Sequence, residues 1–324
     1  MTCLDIADPD AQDKVEKLEP QAVFVVTPDA THCDMVEDWL DRSDSIIVEK
    51  PFDVDHKRIR ELRANIDRSS CTVRGFDHYL VRANQFAKGR DRLAVDRHLE
   101  RTLKSFTFHM LEAGDRRLVG RQASLQSGMV LDMGVHGIAL LSAFGDPATI
   151  QLRGVKAGVY EPNKGITTSG RELLSSGMET FAEIRFDFTS IYGEAAIGIV
   201  RVGKCVGERD EKYVEIVGGK DGNRKIRLDM QSFIVDFSDG GVEGPITSLF
   251  CNPVHLLVRE VIGERASETL ALFTPAEAER IIEAVNGWRE PILARVRRGE
   301  ELDPYPAGES LDTILKILQP LELR

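Results

Sequence analysis

Residues 22–76 alternate unbroken apolar runs with amphipathic segments, and nothing else in the chain limits its fold as strongly. AVFVVT (22–27) stays apolar up to its last residue, as a parallel strand buried on both faces must. Pro28 ends that run, and Met35, Val36, Trp39 and Leu40 then recur at helical spacing. SIIV (45–48) is the next buried strand, Ile59, Leu62 and Ile66 mark a helix within residues 54–67, and TVRGF (72–76) is a third strand. Strand, helix, strand, helix, strand predicts an α/β domain with a parallel sheet.

Beyond residue 100 the period changes. AEIRFDF (182–188) places Ala182, Ile184, Phe186 and Phe188 on one face and Glu183, Arg185 and Asp187 on the other. Comparable runs at 104–111, 149–155, 194–202, 212–217, 224–229 and 232–237 predict a large, mostly antiparallel sheet with one face covered. GGKDG (218–222), between two of these runs, reads as a hairpin turn. Two helices interrupt the pattern. One covers residues 128–144 and stops at Gly145-Asp146-Pro147; the other opens on Thr274-Pro275-Ala276-Glu277, a capping box with proline at the first helical position. The expected architecture is therefore α/β followed by α+β, with residues 1–78 and 79–324 as the two domains.

Charge narrows the partners. The chain carries a net charge of −11 and has no Lys/Arg block that would track phosphates, which argues against nucleic acid. Its five cysteines are scattered without a CxxC pair, the amino terminus MTCLDIADPD is acidic and unlike a signal peptide, and no apolar run reaches membrane-spanning length. A cytoplasmic protein with a small-molecule partner and no membrane contact is the expectation. The histidines show no metal-ligand spacing with one another or with the cysteines.

Three stretches carry residues suited to chemistry. SIIVEKPF (45–52) delivers Lys50 at the carboxyl end of a buried strand, where open α/β sheets bind ligands, and Pro51 forbids further pairing. In MVLDMGVHGIALL (129–141), Asp132 and His136 are four apart and share one face of a helix. A histidine held near a carboxylate can act as a general base, although for that motif alone a packed core histidine bonded to a local carbonyl is the plainer reading. DHYL (77–80) sets Asp77, His78 and Tyr79 at another strand end, with Arg74 and Arg82 flanking; a polar loop with a half-buried tyrosine is its plainer reading.

VVTPDATH, IIVEKPF and GMVLDMGVHGIALLSAFGDP, in this order and spacing, resemble the glucose–fructose oxidoreductase/inositol dehydrogenase (Gfo/Idh/MocA) superfamily. NPVHLLVREVIGE (252–264) and FTPAEAERIIEAV (273–285) extend the likeness more loosely. EKPF followed by FDHYL, and WREPIL (288–293) with YPAGE (305–309), resemble the glucose-6-phosphate dehydrogenases, with Val81-Arg82 where those enzymes have Gly-Lys.

The resemblance implies a Rossmann-like dinucleotide domain, a substrate domain, a homo-oligomer, and NAD or NADP as cofactor. It implies transfer of a hydride from a hydroxyl carbon of a sugar, cyclitol or sugar phosphate. Lys50 would position the substrate and stabilise developing charge, and His136 would take the hydroxyl proton. Asp132 by the inositol-dehydrogenase pattern, or Asp77 by the glucose-6-phosphate pattern, would orient that histidine. Thr27, Pro28, His32, Glu49 and Pro51 would contact the cofactor, with Pro51 often reached through a cis peptide in such families. His78 and Arg82 would meet a substrate phosphate.

One departure stands out: no glycine occurs among residues 1–74, so the GxGxxG turn that holds the pyrophosphate in this superfamily is missing ahead of the VVTP strand. The expectation is a truncated Rossmann-like sheet, with room for one short strand (residues 4–6) and one short helix. Each lost charge-assisted contact would weaken cofactor binding by roughly 1.5–3 kcal/mol. A non-redox sugar-binding protein, or a cofactor-free lyase or isomerase using His136 as base, is the alternative function on the same scaffold.

Overall fold

The structure, a computed structural model, describes residues 20–80, 92–114, 128–161, 178–232, 234–238, 242–243 and 272–323. Strand β1 (Ala22–Val25), helix α1 (His32–Trp39), β2 (Ser45–Glu49), α2 (His56–Ile66) and β3 (Thr72–Phe76) follow one another as the apolar periodicity predicts. The strands pair in parallel in the order β1-β2-β3, with Val23 opposite Ile46 and Ile46 opposite Val73. Ile46, Ile47 and Val48 are all buried, which is why this stretch reads as an unbroken apolar run. Asp55 starts α2 by accepting the Lys57 N–H at 2.9 Å, and Ile59 and Leu62 form the helix's buried side. The strand expected at residues 4–6 lies outside the described residues.

The chain continues through α3 (Arg92–His98), β4 (Ser105–Glu112), α4 (Met129–Asp132) and α5 (Gly134–Leu141). Strands β5 (Gly145–Glu161), β6 (Phe181–Ser190), β7 (Ala195–Lys204), β8 (Glu211–Gly218), β9 (Arg224–Asp229), β10 (Val235–Phe237) and β11 (Val242–Glu243) come next. It closes with β12 (Leu272–Phe273), α6 (Pro275–Arg297), β13 (Asp303–Pro306) and α7 (Leu311–Ile317). Nine of these strands form one sheet in the order β11-β10-β9-β8-β4-β7-β6-β5-β13, antiparallel except at β4/β7 and β5/β13. The architecture is thus a parallel Rossmann-like sheet followed by a larger, mostly antiparallel one. The GGKDG segment turns as expected, with the Gly222 N–H on the Gly219 carbonyl at 2.9 Å and both glycines at positive φ.

Helix α6 ties the two sheets together. Its capping box forms as the sequence predicts: the Glu277 N–H meets the Thr274 hydroxyl at 3.2 Å, and Glu277 Oε2 accepts the Thr274 N–H at 2.7 Å. Glu279 takes Arg60 and Arg63 from α2, while Trp288, fully buried, lies 5.1 Å from the Phe186 ring of the large sheet. Burying side chains of this size contributes roughly 1.5–3 kcal/mol each. Just before α6, β12 pairs antiparallel with β3, Phe273 opposite Gly75. A Cβ at Gly75 would sit 2.0 Å from the Phe273 ring, so this pairing requires glycine. No helix among the described residues is long and apolar enough to cross a membrane.

Two local expectations are corrected. The helix expected over residues 128–144 is two, broken at Met133. The His136 N–H turns back to the Met133 carbonyl at 3.2 Å, and the Asp132 carbonyl instead receives the Lys50 ammonium at 2.7 Å. Asp132 and His136 therefore do not share one continuous helical face. Gly145-Asp146-Pro147, expected to end that helix, already opens β5; the ladder with β6 shifts register between Asp146 and Gln151, where Pro147 has no N–H to give.

Candidate active site

The site gathers at the carboxyl ends of the three parallel strands, where the α/β fold leaves a crevice. β2 ends at Glu49, and the next residue is fixed twice: the Lys50 N–H donates to the Phe76 carbonyl at 3.0 Å, and the Lys50–Pro51 peptide is cis. The Lys50 side chain is buried, and its ammonium donates to Asp132 Oδ1 at 2.9 Å and to the Asp132 carbonyl at 2.7 Å. Burial would lower the lysine's pKa, but the carboxylates of Asp132, Glu49 and Asp77 outweigh it, and the net shift is upward. Burial likewise raises Asp132, but the Lys50 charge and hydrogen bond prevail and bring its carboxyl down to about 2. Lys50 and Asp132 are a charged pair at neutral pH.

β3 delivers the second pair. Asp77, fully buried, accepts the Tyr79 N–H on Oδ1 at 2.9 Å and faces His136 Nδ1 with Oδ2 at 2.6 Å. Burial is the largest influence on both groups. It lowers His136 below its ordinary value, aided by the Lys50 charge and opposed by Asp77. It raises Asp77, but His136 prevails and the carboxyl lies below its ordinary value. The resulting state is a carboxylate and a neutral imidazole. The carboxylate can only accept, so Nδ1 carries the proton and Nε2 keeps its lone pair; Nε2 has no hydrogen bond from the described residues. The sequence left the histidine's partner open between two aspartates. The structure gives Asp77 to His136 and Asp132 to Lys50.

The other expected residues surround these pairs. His32 is buried, with Nδ1 2.8 Å from the Pro51 carbonyl and Nε2 2.7 Å from the Thr27 carbonyl, so it ties the loop after β1 to the loop after β2. The Thr27 hydroxyl accepts from Thr31 at 2.9 Å, and Pro28 is exposed beside it. His78 Nδ1 lies 3.7 Å from Glu49 Oε1, both side chains partly exposed. Arg82 lies outside the described residues.

Four charged groups went unnoticed in the sequence. Asp29, raised by burial, lies close enough to Lys50, Asp132 and Glu49 to feel their charges. Lys212 and Lys204, both buried at the ends of antiparallel strands, share Glu112: Lys212 donates to Oε1 at 2.7 Å, and Lys204 stands 3.5 Å from Oε2. Lys212 also reaches the Tyr79 hydroxyl at 3.5 Å; the Tyr79 ring lies edge-on to His136 at 4.7 Å. The Lys204 charge bears on Asp132. In sequence Glu112, Lys204 and Lys212 look like ordinary members of the polar face of a strand.

Residues 5–75 match the model of an oxidoreductase family with an NAD-binding Rossmann fold, GFO_IDH_MocA. The match covers the parallel-sheet segment, less than half of the chain. Comparison with curated proteins gives no match. Among solved structures, myo-inositol 2-dehydrogenase from Lactobacillus plantarum is similar at a TM-score of 0.61 and 15% identity, over 89% of this chain and 82% of that one. A 3-ketoreductase from Actinomadura kijaniata, in complex with TDP-benzene and NADP, gives 0.60 and 15%, over 86% and 80%. Glucose-6-phosphate 1-dehydrogenase from Mycobacterium avium gives 0.62 and 14%, over 94% and 77%. At these identities the likeness is one of fold, and it spans both sheets. Thr27, Pro28, Glu49 and Lys50, which follow or end β1 and β2, are the residues at these strand ends that could hold a nicotinamide cofactor. The glycine turn that would hold the pyrophosphate has no counterpart among residues 1–74.

Proposed function

We propose that this chain oxidises a hydroxyl-bearing carbon of a sugar, cyclitol or sugar phosphate, using a nicotinamide cofactor. The observation that supports it best is the neutral His136, its Nδ1 proton committed to Asp77, beside an ammonium held by Asp132. A bound nicotinamide would supply the hydride acceptor. Everything else falls to this chain's own residues. His136 Nε2 takes the proton of the reacting hydroxyl, and Asp77 stabilises the imidazolium that forms. Lys50 donates to the same oxygen as negative charge builds on it, Asp132 keeping the ammonium in place.

Lys204 and Lys212 favour a phosphorylated sugar within this substrate range. Lys212 has one short partner, Glu112, and Lys204 has only a distant share in that carboxylate among the described residues, so both keep N–H donors for a further anion. Reduced cofactor fluorescence, followed while NADH or NADPH is added, tests the reading. A saturable rise supports it; no binding of either at millimolar concentration removes it.

A second reading, a sugar-phosphate-binding protein or a cofactor-free lyase or isomerase with His136 as base, draws on the same His136–Asp77 pair, which can take a proton with or without a nucleotide. Thermal protection by sugar phosphates without any nucleotide supports that reading. Protection that requires nucleotide opposes it.

A further inference from the structure

A buried carboxylate stands at the start of the segment that carries Asp132, and the chemistry proposed above makes no use of it. Glu179 is 1% exposed. Its Oε1 accepts the Val130 N–H at 2.9 Å and its backbone carbonyl accepts the Met129 N–H at 3.2 Å, so one residue grips the first turn of α4 twice. Oε2 has no hydrogen-bond partner among the described residues. Gly128 makes the space: its φ is 79°, and a Cβ there would lie 2.4 Å from both carboxylate oxygens. Burial pushes the Glu179 carboxyl up to about 6, against the pull of the Val130 N–H and of Arg289, the charged side chain of α6 that faces it. A half-satisfied carboxylate weakens an interior that an apolar side chain would fill more favourably, so packing does not explain it.

The contact runs on from α4 to Lys50. Asp132 closes the four-residue helix and offers Lys50 both its Oδ1 and its carbonyl, the latter released because the His136 N–H bonds Met133 instead. Where the ammonium sits therefore depends on where this short turn is pinned, and Glu179 pins its other end.

We propose that Glu179 is a positioning residue, which fixes the start of α4 and, through Asp132, sets the Lys50 ammonium in the active site. Its effect on turnover rests on the oxidoreductase reading; its effect on Lys50 does not. Glu179→Ala removes the acceptor for Val130, whereas Glu179→Gln keeps an oxygen there. The alanine variant is expected to lose about tenfold or more in kcat with cofactor KM little changed, and the glutamine variant to recover most of it.

The deciding readout needs no turnover. Labelling of Lys50 by an amine-acylating reagent, and amide hydrogen exchange over residues 129–133, are followed by mass spectrometry well below the melting temperature. Both should rise several-fold in Glu179→Ala and stay near wild type in Glu179→Gln. Unchanged Lys50 labelling in a folded Glu179→Ala overturns the proposal, as does an equal loosening of the whole protein that glutamine does not reverse. If the alanine variant does not fold, Gly128→Ala, which drives a methyl group into the carboxylate, must raise Lys50 labelling for the proposal to stand. Faster Lys50 labelling in a protein whose wild type oxidises no sugar would sustain the positioning role while the oxidoreductase reading fails.

Discussion

Asp77 at the end of β3 and His136 within α5 are 59 residues apart in sequence and 2.6 Å apart in space, both buried, with the acceptor oxygen on the only ring nitrogen it can reach. That contact selects the tautomer in which Nε2 can receive a proton. Asp77→Asn preserves the shape but presents an amide that can donate to Nδ1, moving the ring proton to Nε2. A fall in kcat of about 10³ or more is expected, with substrate KM little changed. Steady-state kinetics of the variant check it.

The pH profile follows from the same pair. His136 must be neutral to act as a base, and its pKa lies below the ordinary value of 6.5, chiefly through burial. Activity should therefore hold as pH falls through 6.5 and decline only below it, as the ring protonates. An acid limb of kcat/KM centred at about 7 or higher would contradict the assignment.

Lys50 serves the fold as well as the site. Asp132 titrates at about 2 in the folded protein against an ordinary 3.8. Its pairing thus contributes stability that is full above the ordinary value and lost as pH falls through the folded one, roughly 2 kcal/mol in all. Lys50→Met should abolish activity and destabilise the protein by about 3–5 kcal/mol at neutral pH, because Asp132 is left charged and unpaired. Lys50→Met with Asp132→Leu should recover most of that stability and none of the activity. Urea unfolding of the three proteins measures both effects.

Lys212 offers a test of the substrate class. Replacing it with glutamine should raise KM about tenfold or more for a sugar phosphate and leave KM for the neutral sugar within about twofold, since a lost charge-assisted contact costs roughly 1.5–3 kcal/mol. Equal effects on both sugars would mean that Lys212 only supports Glu112 and Tyr79.

Much of the fold was legible in the sequence because its signals are local. Ile46 to Val48 read as buried on both faces from three consecutive side chains, and Thr274 with Glu277 announced a helix start within four residues. The site was legible as a set of residues and not as a set of pairs. Lys50 and Asp132 meet across 82 residues, and that contact breaks the helix which sequence spacing alone makes continuous. The i,i+4 argument for Asp132 and His136 failed there, since a tertiary hydrogen bond took the carbonyl that the helix needed. Glu112, Lys204 and Lys212 carried no signal because alternating charge is what an antiparallel strand shows anyway. Glu179 carried none either: its burial comes from Gly128, 51 positions earlier and at positive φ.

The central claim is that His136 removes a hydroxyl proton as a nicotinamide cofactor is reduced. Wild-type protein and His136→Ala are each incubated with a panel of sugars and sugar phosphates and with NAD⁺ or NADP⁺, and the near-ultraviolet absorbance of reduced nicotinamide is followed. The account predicts cofactor reduction by wild type with at least one phosphorylated sugar, and a loss of about 10²-fold or more in His136→Ala. Equal rates in the two proteins would contradict it, as would reduction by neither with any substrate of the panel.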